Sequence, residues 1–141
     1  MANDAGDFAR SMSIATSGLR AQAGRMRVIS ENIANADSTA STAGGEPYRR
    51  KVPTFSSELD RTLDAKVVTL GKIRTDQSAF RVKHEPSNPA ADAAGNVKYP
   101  NVNPLVEMTD MREAQRSYEA NLNIISATRR MIQRTLDILK A

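Results

Sequence analysis

Apolar side chains recur in alternating steps of four and three at both ends of this 141-residue chain, and nowhere between. Near the start the stripe is Phe8, Met12, Ala15, Leu19, Gln22, Met26, Ile29 and Ile33. Near the end it is Met108, Met111, Gln115, Tyr118, Leu122, Ile125, Arg129, Ile132, Leu136 and Leu139. A stripe this narrow suits a seam against another helix better than the broader face a helix turns to a globular core. The fold it predicts is mainly α with a small β insert. Long N- and C-terminal helices form an antiparallel pair with a coiled-coil core, around a short extended or β middle segment. Residues 1–35 and 104–141 make the helical core in this reading, and residues 36–103 the loop and small β-rich insert. Terminal helices that need partners point to an assembly component rather than an enzyme.

The composition agrees with seams more than with a self-sufficient globule. Aromatics are 4% of the chain and Trp is absent, so the side chains that usually dominate core energetics are scarce. The formal charge is +4. Residues 7–33 carry four Arg against two acids, residues 34–104 ten Lys/Arg against eight, and residues 105–141 six against five. That dispersal is a mixed solvated surface, not the basic stripe that tracks a phosphate backbone. With no Cys there is no disulfide, thiolate metal site or Cys nucleophile. The opening Met1-Ala2-Asn3-Asp4-Ala5-Gly6-Asp7 lacks a basic segment followed by an apolar one, which argues against a cleaved secretory signal. No apolar run approaches the ~20 residues that span a bilayer.

Local signals place the elements. The first helix is predicted from about Asp7 to about Ala34, with Asp4 or Asp7 as cap. Gly18 and Gly24 inside it either admit a close neighbour or simply weaken the helix. Ala36 to Gly45 is small and polar, hence a loop. Pro47 to Phe55 reads as extended, and Ser57 to Ala65 as a short helical turn or an undefined stretch. Lys66 to Thr75 and Ala79 to Lys83 are strand-like, and Val97 to Asn103 is extended. Asn103-Pro104 with Glu107 behind it starts the last helix, and no later Pro or Gly stops it.

Groups that carry chemistry are sparse. His84 is the single His and cannot by itself make a His-rich metal site. Gly44-Gly45 lacks the Lys-Ser/Thr of a phosphate loop and the spacing of a dinucleotide fingerprint, so no cofactor is implied. Asp60 and Asp64 lie one helical turn apart, but Arg61 and Lys66 beside them make a surface charge pattern. Arg129 is either an inter-subunit pairing residue or a side chain snorkelling at the seam edge.

The specific cluster is Ser30-Glu31-Asn32-Ile33-Ala34-Asn35, followed by Ala36-Asp37-Ser38-Thr39. Two Asn residues three apart share a helix face, where their amides can satisfy the last helix carbonyls and tie down the loop. This cluster is similar to the signature near the N-terminus of the bacterial flagellar rod and hook axial proteins. Glu46 to Lys51, Glu85 to Val102 and Arg116 to Asn121 extend the resemblance over nearly the whole chain, toward proximal-rod members. The resemblance implies a structural subunit of the flagellar basal-body rod, with terminal helices packed into the axial drive shaft that transmits torque. It implies subunit contacts through Leu19, Met26, Ile29, Asn32, Ile33, Asn35, Tyr118, Asn121, Leu122, Ile125, Ile132 and Leu136. It further implies a periplasmic location reached by flagellar type III export, and no enzymatic activity. The implied partners are rod subunits of the FlgB, FlgF and FlgG type, the adapter FliE and the MS ring protein FliF. On physical grounds the isolated terminal helices are expected to order only against neighbours. A cytosolic coiled-coil adaptor is the alternative that the heptads alone would allow.

Overall fold

The computed structural model describes residues 2–140, with side chains described from Gly6 onward. Helix α1 spans Ala2–Ala34 and helix α2 spans Pro104–Lys140. Between them lie β1 (Lys51–Val52), β2 (Phe55–Asp60), β3 (Ala65–Leu70), β4 (Arg74–Thr75), β5 (Arg81–His84) and β6 (Asn96–Tyr99). These strands pair antiparallel as β1 with β4, β2 with β3, and β5 with β6. The chain divides into two compact units, one made of Met1–Met26, Thr54–Lys72 and Glu113–Ala141, the other of Arg27–Pro53 and Ile73–Arg112.

In the first unit the β2–β3 hairpin is built from β-branched and hydroxyl residues, with Phe55 opposite Leu70 and Asp60 opposite Ala65. The hydroxyls of Ser56 and Thr69, directly opposite one another, are 2.8 Å apart. Its turn is fixed by Asp60, whose Oδ1 accepts from the Thr62 and Leu63 amides, and by Asp64 in a left-handed conformation at φ 46°. That chemistry makes the start of the 57–65 stretch a strand, against the short helical turn that Leu59 and Leu63 suggested. The hairpin docks on α1 where Arg10 Nε donates to the Leu63 carbonyl at 2.7 Å and the Val68 amide donates to Ser17 Oγ at 3.2 Å. The missing side chain of Gly18 makes room for the Asn121 amide, 2.8 Å from where a Cβ would stand. Gly18 therefore serves close approach, and what approaches is a side chain.

In the second unit Ala90, Val97 and Tyr99 form a small core, with Val28, Ile29, Ala36 and Val102 buried elsewhere in the unit. Arg81 reaches from β5 to the end of α1, donating to the Ala36 carbonyl at 2.7 Å and to the Pro100 carbonyl at 3.1 Å. The loop from Glu85 to Asn96 is held by Asp92, whose Oδ1 accepts from the Ala94 and Asn96 amides, and by the Glu85 amide donating to Gly95 O. Asn103 caps α2 as its position predicts, its Oδ1 accepting from the Leu105 amide at 3.1 Å. At the other end α1 begins at Ala2, so Asp7 lies inside the helix rather than at its cap, and the Asp4 side chain lies outside the described residues.

The expected antiparallel pair of long coiled-coil helices is not the fold. Two helices flank a β-rich middle of three small antiparallel sheets. Large side chains assigned to the α2 seam stand exposed: Met108 by 51%, Leu122 by 47%, Leu136 by 45% and Leu139 by 66%. The buried positions of α2 are Glu107, Ala114 and Thr128, a column one residue earlier that is small or polar. The reason is chemical. Glu107 finds partners from other elements, at Arg50 Nε and Asn32 Nδ2, while Thr128 satisfies its hydroxyl within its own helix by donating to the Ile124 carbonyl, so both polar groups can be buried.

Gly95 has φ +79°, and a Cβ there would stand 2.9 Å from His84 Cε1 and 3.1 Å from Pro86 Cγ. Gly95→Ala is expected to lower stability by more than ~1 kcal/mol in chemical denaturation followed by circular dichroism. An unchanged midpoint would show that the loop relaxes freely.

Candidate subunit interface

Two features stand out once the elements are placed: a buried polar clamp at the end of α1, and apolar faces of α2 that the chain leaves open. The clamp centres on Asn32, which is 1% exposed. Its Oδ1 accepts from the Lys51 amide at 2.9 Å and from the Tyr48 hydroxyl at 2.8 Å. Its Nδ2 donates to the Lys51 carbonyl at 2.8 Å and to Glu107 Oε2 at 3.0 Å. The side chain thus mimics a strand partner for Lys51 while also gripping α2. Glu107, equally buried, is neutralised by Arg50, whose Nε donates to Oε1 at 2.6 Å. Arg50 also faces Asp76 at 3.9 Å and Asp110 at 3.6 Å, and its amide donates to Asn101 Oδ1. The Lys51 ammonium pairs with Glu31, the residue next to Asn32 in α1.

The signature therefore works differently from the sequence expectation for one of its two Asn residues. Asn35 does satisfy a helix carbonyl, donating to Glu31 O at 2.8 Å, and Ser38 Oγ then donates to Asn35 O. Asn32 does not cap its own helix; its partners lie in the β1 approach and in α2. Tyr48, Arg50, Lys51 and Glu107 belong to the clamp and escape a heptad search, because they lie 16 to 75 residues from Asn32 and share no period with it. Tyr48, Arg50 and Lys51 lie in the resembling block Glu46 to Lys51, and Glu107 shows in the sequence only as an acid in the first turn of the last helix.

The remaining seam residues divide by exposure. Ile29 is buried. Leu19, Met26, Ile33, Tyr118, Asn121, Ile125 and Ile132 are half-buried, and Leu122 and Leu136 are exposed. The stripe of α1 thus lies in or at the edge of the protein, whereas that of α2 faces outward on one side. A further column, Ile124, Met131 and Ile138, is exposed by 48%, 48% and 75% and has the same spacing of seven. An open cleft of about 640 Å³ lies between α1 and the β2–β3 hairpin, lined by Met12, Thr16, Arg20, Asp60, Val68 and Leu70. Asp60 there is committed to turn amides. Among the described residues no group of three or more His, Cys, Asp or Glu is placed to hold a metal ion. His84 is exposed, beside Asn96 Oδ1 at 3.3 Å. Among the described residues no helix is long and apolar enough to cross a membrane.

Removing the Asn32 amide strands the Tyr48 hydroxyl, the Lys51 backbone and one Glu107 oxygen, each costing ~1–3 kcal/mol if left unpaired. Asn32→Ala is expected to destabilise by at least ~3 kcal/mol, against ~1 kcal/mol or less for Asn35→Ala, in parallel urea titrations. Equal losses would remove the special role of Asn32. Burial, then the negative charges of Glu31 and Glu107, push the Tyr48 hydroxyl from 10.0 to about 12. Since the folded value is the raised one, its contribution is complete below pH ~10 and is lost as pH rises toward 12. Tyr48→Phe should flatten that alkaline fall in the pH profile of unfolding; an identical profile would contradict it.

Comparison with known proteins gives these features a context. A family model for flagella basal body rod proteins matches residues 12–40, which contain the Asn signature. A second, for the C-terminal part of flagellar basal body rod FlgEFG proteins, matches residues 93–138, which contain nearly all of α2. The flagellar basal-body rod protein FlgC of Agrobacterium fabrum is 54% identical over 128 residues, covering 91% of this chain and 92% of the relative. That of Bacillus subtilis is 40% identical over 145 residues, covering 92% and 97%. That of Salmonella typhimurium is 37% identical over 125 residues, covering 89% and 92%. The chain belongs to the FlgC family of flagellar basal-body rod proteins, and it is a structural subunit of that rod.

Proposed function

We propose that the chain joins the rod through the open apolar positions of its two helices, and that this packing turns the subunit into part of a torque-bearing shaft. The observation that carries the reading is the exposure of Leu122 and Leu136 on a helix of 37 residues. A surface helix normally shows one apolar stripe, turned inward. Here large aliphatic side chains also point outward, which suits burial against other subunits. Leu19, Met26, Ile33, Tyr118, Ile125 and Ile132, half-covered within the chain, complete their burial in the same contacts. Residues 1–35 and 104–141 then supply the axial part of the shaft, and residues 36–103 meet neighbouring subunits.

The clamp gives this role its stiffness. Torque transmission needs helix ends that do not swing, and a buried amide with four hydrogen bonds holds Asn32 to Lys51 and Glu107. The partners in this reading are rod subunits of the FlgB, FlgF and FlgG type, with the adapter FliE and the MS ring protein FliF toward the base. The location is the periplasmic part of the rod, reached by flagellar type III export without signal cleavage. The resemblance to rod proteins supports both readings. The role is mechanical, not catalytic: in the second unit Arg81 and Asp92 hold backbone groups, and Arg50 pairs with Glu107.

Leu122→Asp and Leu136→Asp provide the test. Each site is open in the free chain, so stability of the purified protein should change by no more than ~0.5 kcal/mol. Cells carrying either variant should secrete the protein yet lose swimming and show no rod in electron micrographs. Normal rods and swimming would take these positions out of the interface.

A further inference from the structure

Strand β2 is six residues long and one of its edges is bare. Just before it the Gly71 amide donates to the Thr54 carbonyl at 2.6 Å. Within the hairpin the Val68 amide, opposite Ser57, turns away from β2 to Ser17 Oγ at 3.2 Å. Antiparallel partners alternate between bonded and non-bonded pairs, and both contacts fix the same phase. Ser56, Glu58 and Asp60 bond to β3, while the N–H and C=O groups of Phe55, Ser57 and Leu59 point the other way. Among the described residues no backbone hydrogen bond reaches those groups. The far edge of β3 is taken by α1 through Ser17, so the open side belongs to β2. All residues from Phe55 to Leu59 are exposed, the pairing has no bulge, and Glu58 is the one charge among the five. An edge of that kind accepts another strand.

The residues along the edge say which strand fits. If a second β2 lies antiparallel with Ser57 opposite Ser57, Phe55 falls opposite Leu59 of the second copy and Leu59 opposite its Phe55. The three residues with free backbone groups then meet the same three, so every bond of the new ladder has a donor and an acceptor. On one face Phe55 and Leu59, both exposed in the free chain, become cross-strand neighbours beside the exposed Val68. On the other face Glu58 stands opposite Ser56 of the second copy, so no like charges are directly opposed. Other registers fit worse. A shift by one residue sets free backbone groups against groups already bonded to β3. A shift by two sets Glu58 against Glu58 in one direction, and in the other sets Pro53, which has no N–H, against Leu59.

We propose that the β2 edge is a docking site for a second copy of this chain, closing a four-stranded sheet about a two-fold axis at Ser57. The contact goes beyond the rod reading and does not involve α2. Because it is isologous it stops at two copies, so it belongs to the unassembled chain and covers an edge that would otherwise recruit strands without limit. One strand pair buries less than the about 1,200 Å² of a stable interface, so the dimer forms at high protein concentration and exchanges readily.

The test uses the full-length chain, which contains no Cys. Ser57→Cys places a single thiol on the axis, where bonded antiparallel partners have Cα atoms about 5.5 Å apart, within disulfide reach. Under mild oxidation it should form a linked dimer about tenfold faster than Thr62→Cys, at the exposed hairpin turn. Ser57→Pro removes an N–H that β3 does not use, and circular dichroism checks that the fold is kept. In sedimentation equilibrium the parent chain should approach twice the monomer mass at high concentration, Leu122→Asp should do the same, and Ser57→Pro should stay monomeric. Equal cross-linking of the two Cys variants overturns the proposal. So does association that Leu122→Asp abolishes and Ser57→Pro leaves intact, which would place the contact on α2, or a parent chain that remains monomeric throughout.

Discussion

The buried pairing of Asn32 with Glu107 is the constraint on which the arrangement of the second unit depends. A carboxylate taken out of water costs several kcal/mol unless it is paired and hydrogen-bonded. Glu107 is 1% exposed and meets that condition through Arg50 and Asn32 together. Asn32 in turn fixes both backbone groups of Lys51, which sets the start of β1 and, through its pairing of Lys51 with Thr75, of β4. An apolar residue in place of Asn32 would do none of this. The signature Asn is thus a structural linchpin of the second unit, tying the end of α1 to Lys51 and Glu107.

A different logic governs the distal part of α2. There the charged groups border apolar columns instead of filling a core, and Ile138 and Leu139 are open by 75% and 66%. Isolated helices gain little from propensity alone and depend on packing of an apolar face. The free chain covers only one face of this helix. In the proposed assembly neighbouring subunits supply the rest of its stabilisation, and final ordering and assembly are one process.

Much of this was legible in the residues. Both helices, the Asn103-Pro104 entry to α2 and the extended character of the middle all follow from periodicity and capping. What misled was the assumption that large apolar residues at heptad spacing mark the inner seam. Glu107, Ala114 and Thr128 occupy the buried column instead: Glu107 is paired by Arg50 and Asn32, Thr128 bonds the Ile124 carbonyl of its own helix, and Ala114 has no polar group to satisfy. Periodicity reports that a stripe exists, not which chain covers it. The clamp was half-legible: two Asn three apart flagged the helix end, but Asn32 to Glu107 is a contact across 75 residues that no local pattern encodes. The strand β2 was obscured by Leu59 and Leu63, whose helical spacing loses to the Asp60 turn and the pairing with β3.

Hydrogen–deuterium exchange on the subunit, free in dilute solution and within isolated basal bodies, tests the central claim most directly. The account predicts rapid exchange along residues 122–140 in the free chain and strong protection of the same residues in the rod. The backbone around Asn32, Lys51 and Glu107 should be protected in both. Full protection of the distal α2 residues in the free monomer, or none on assembly, would contradict it.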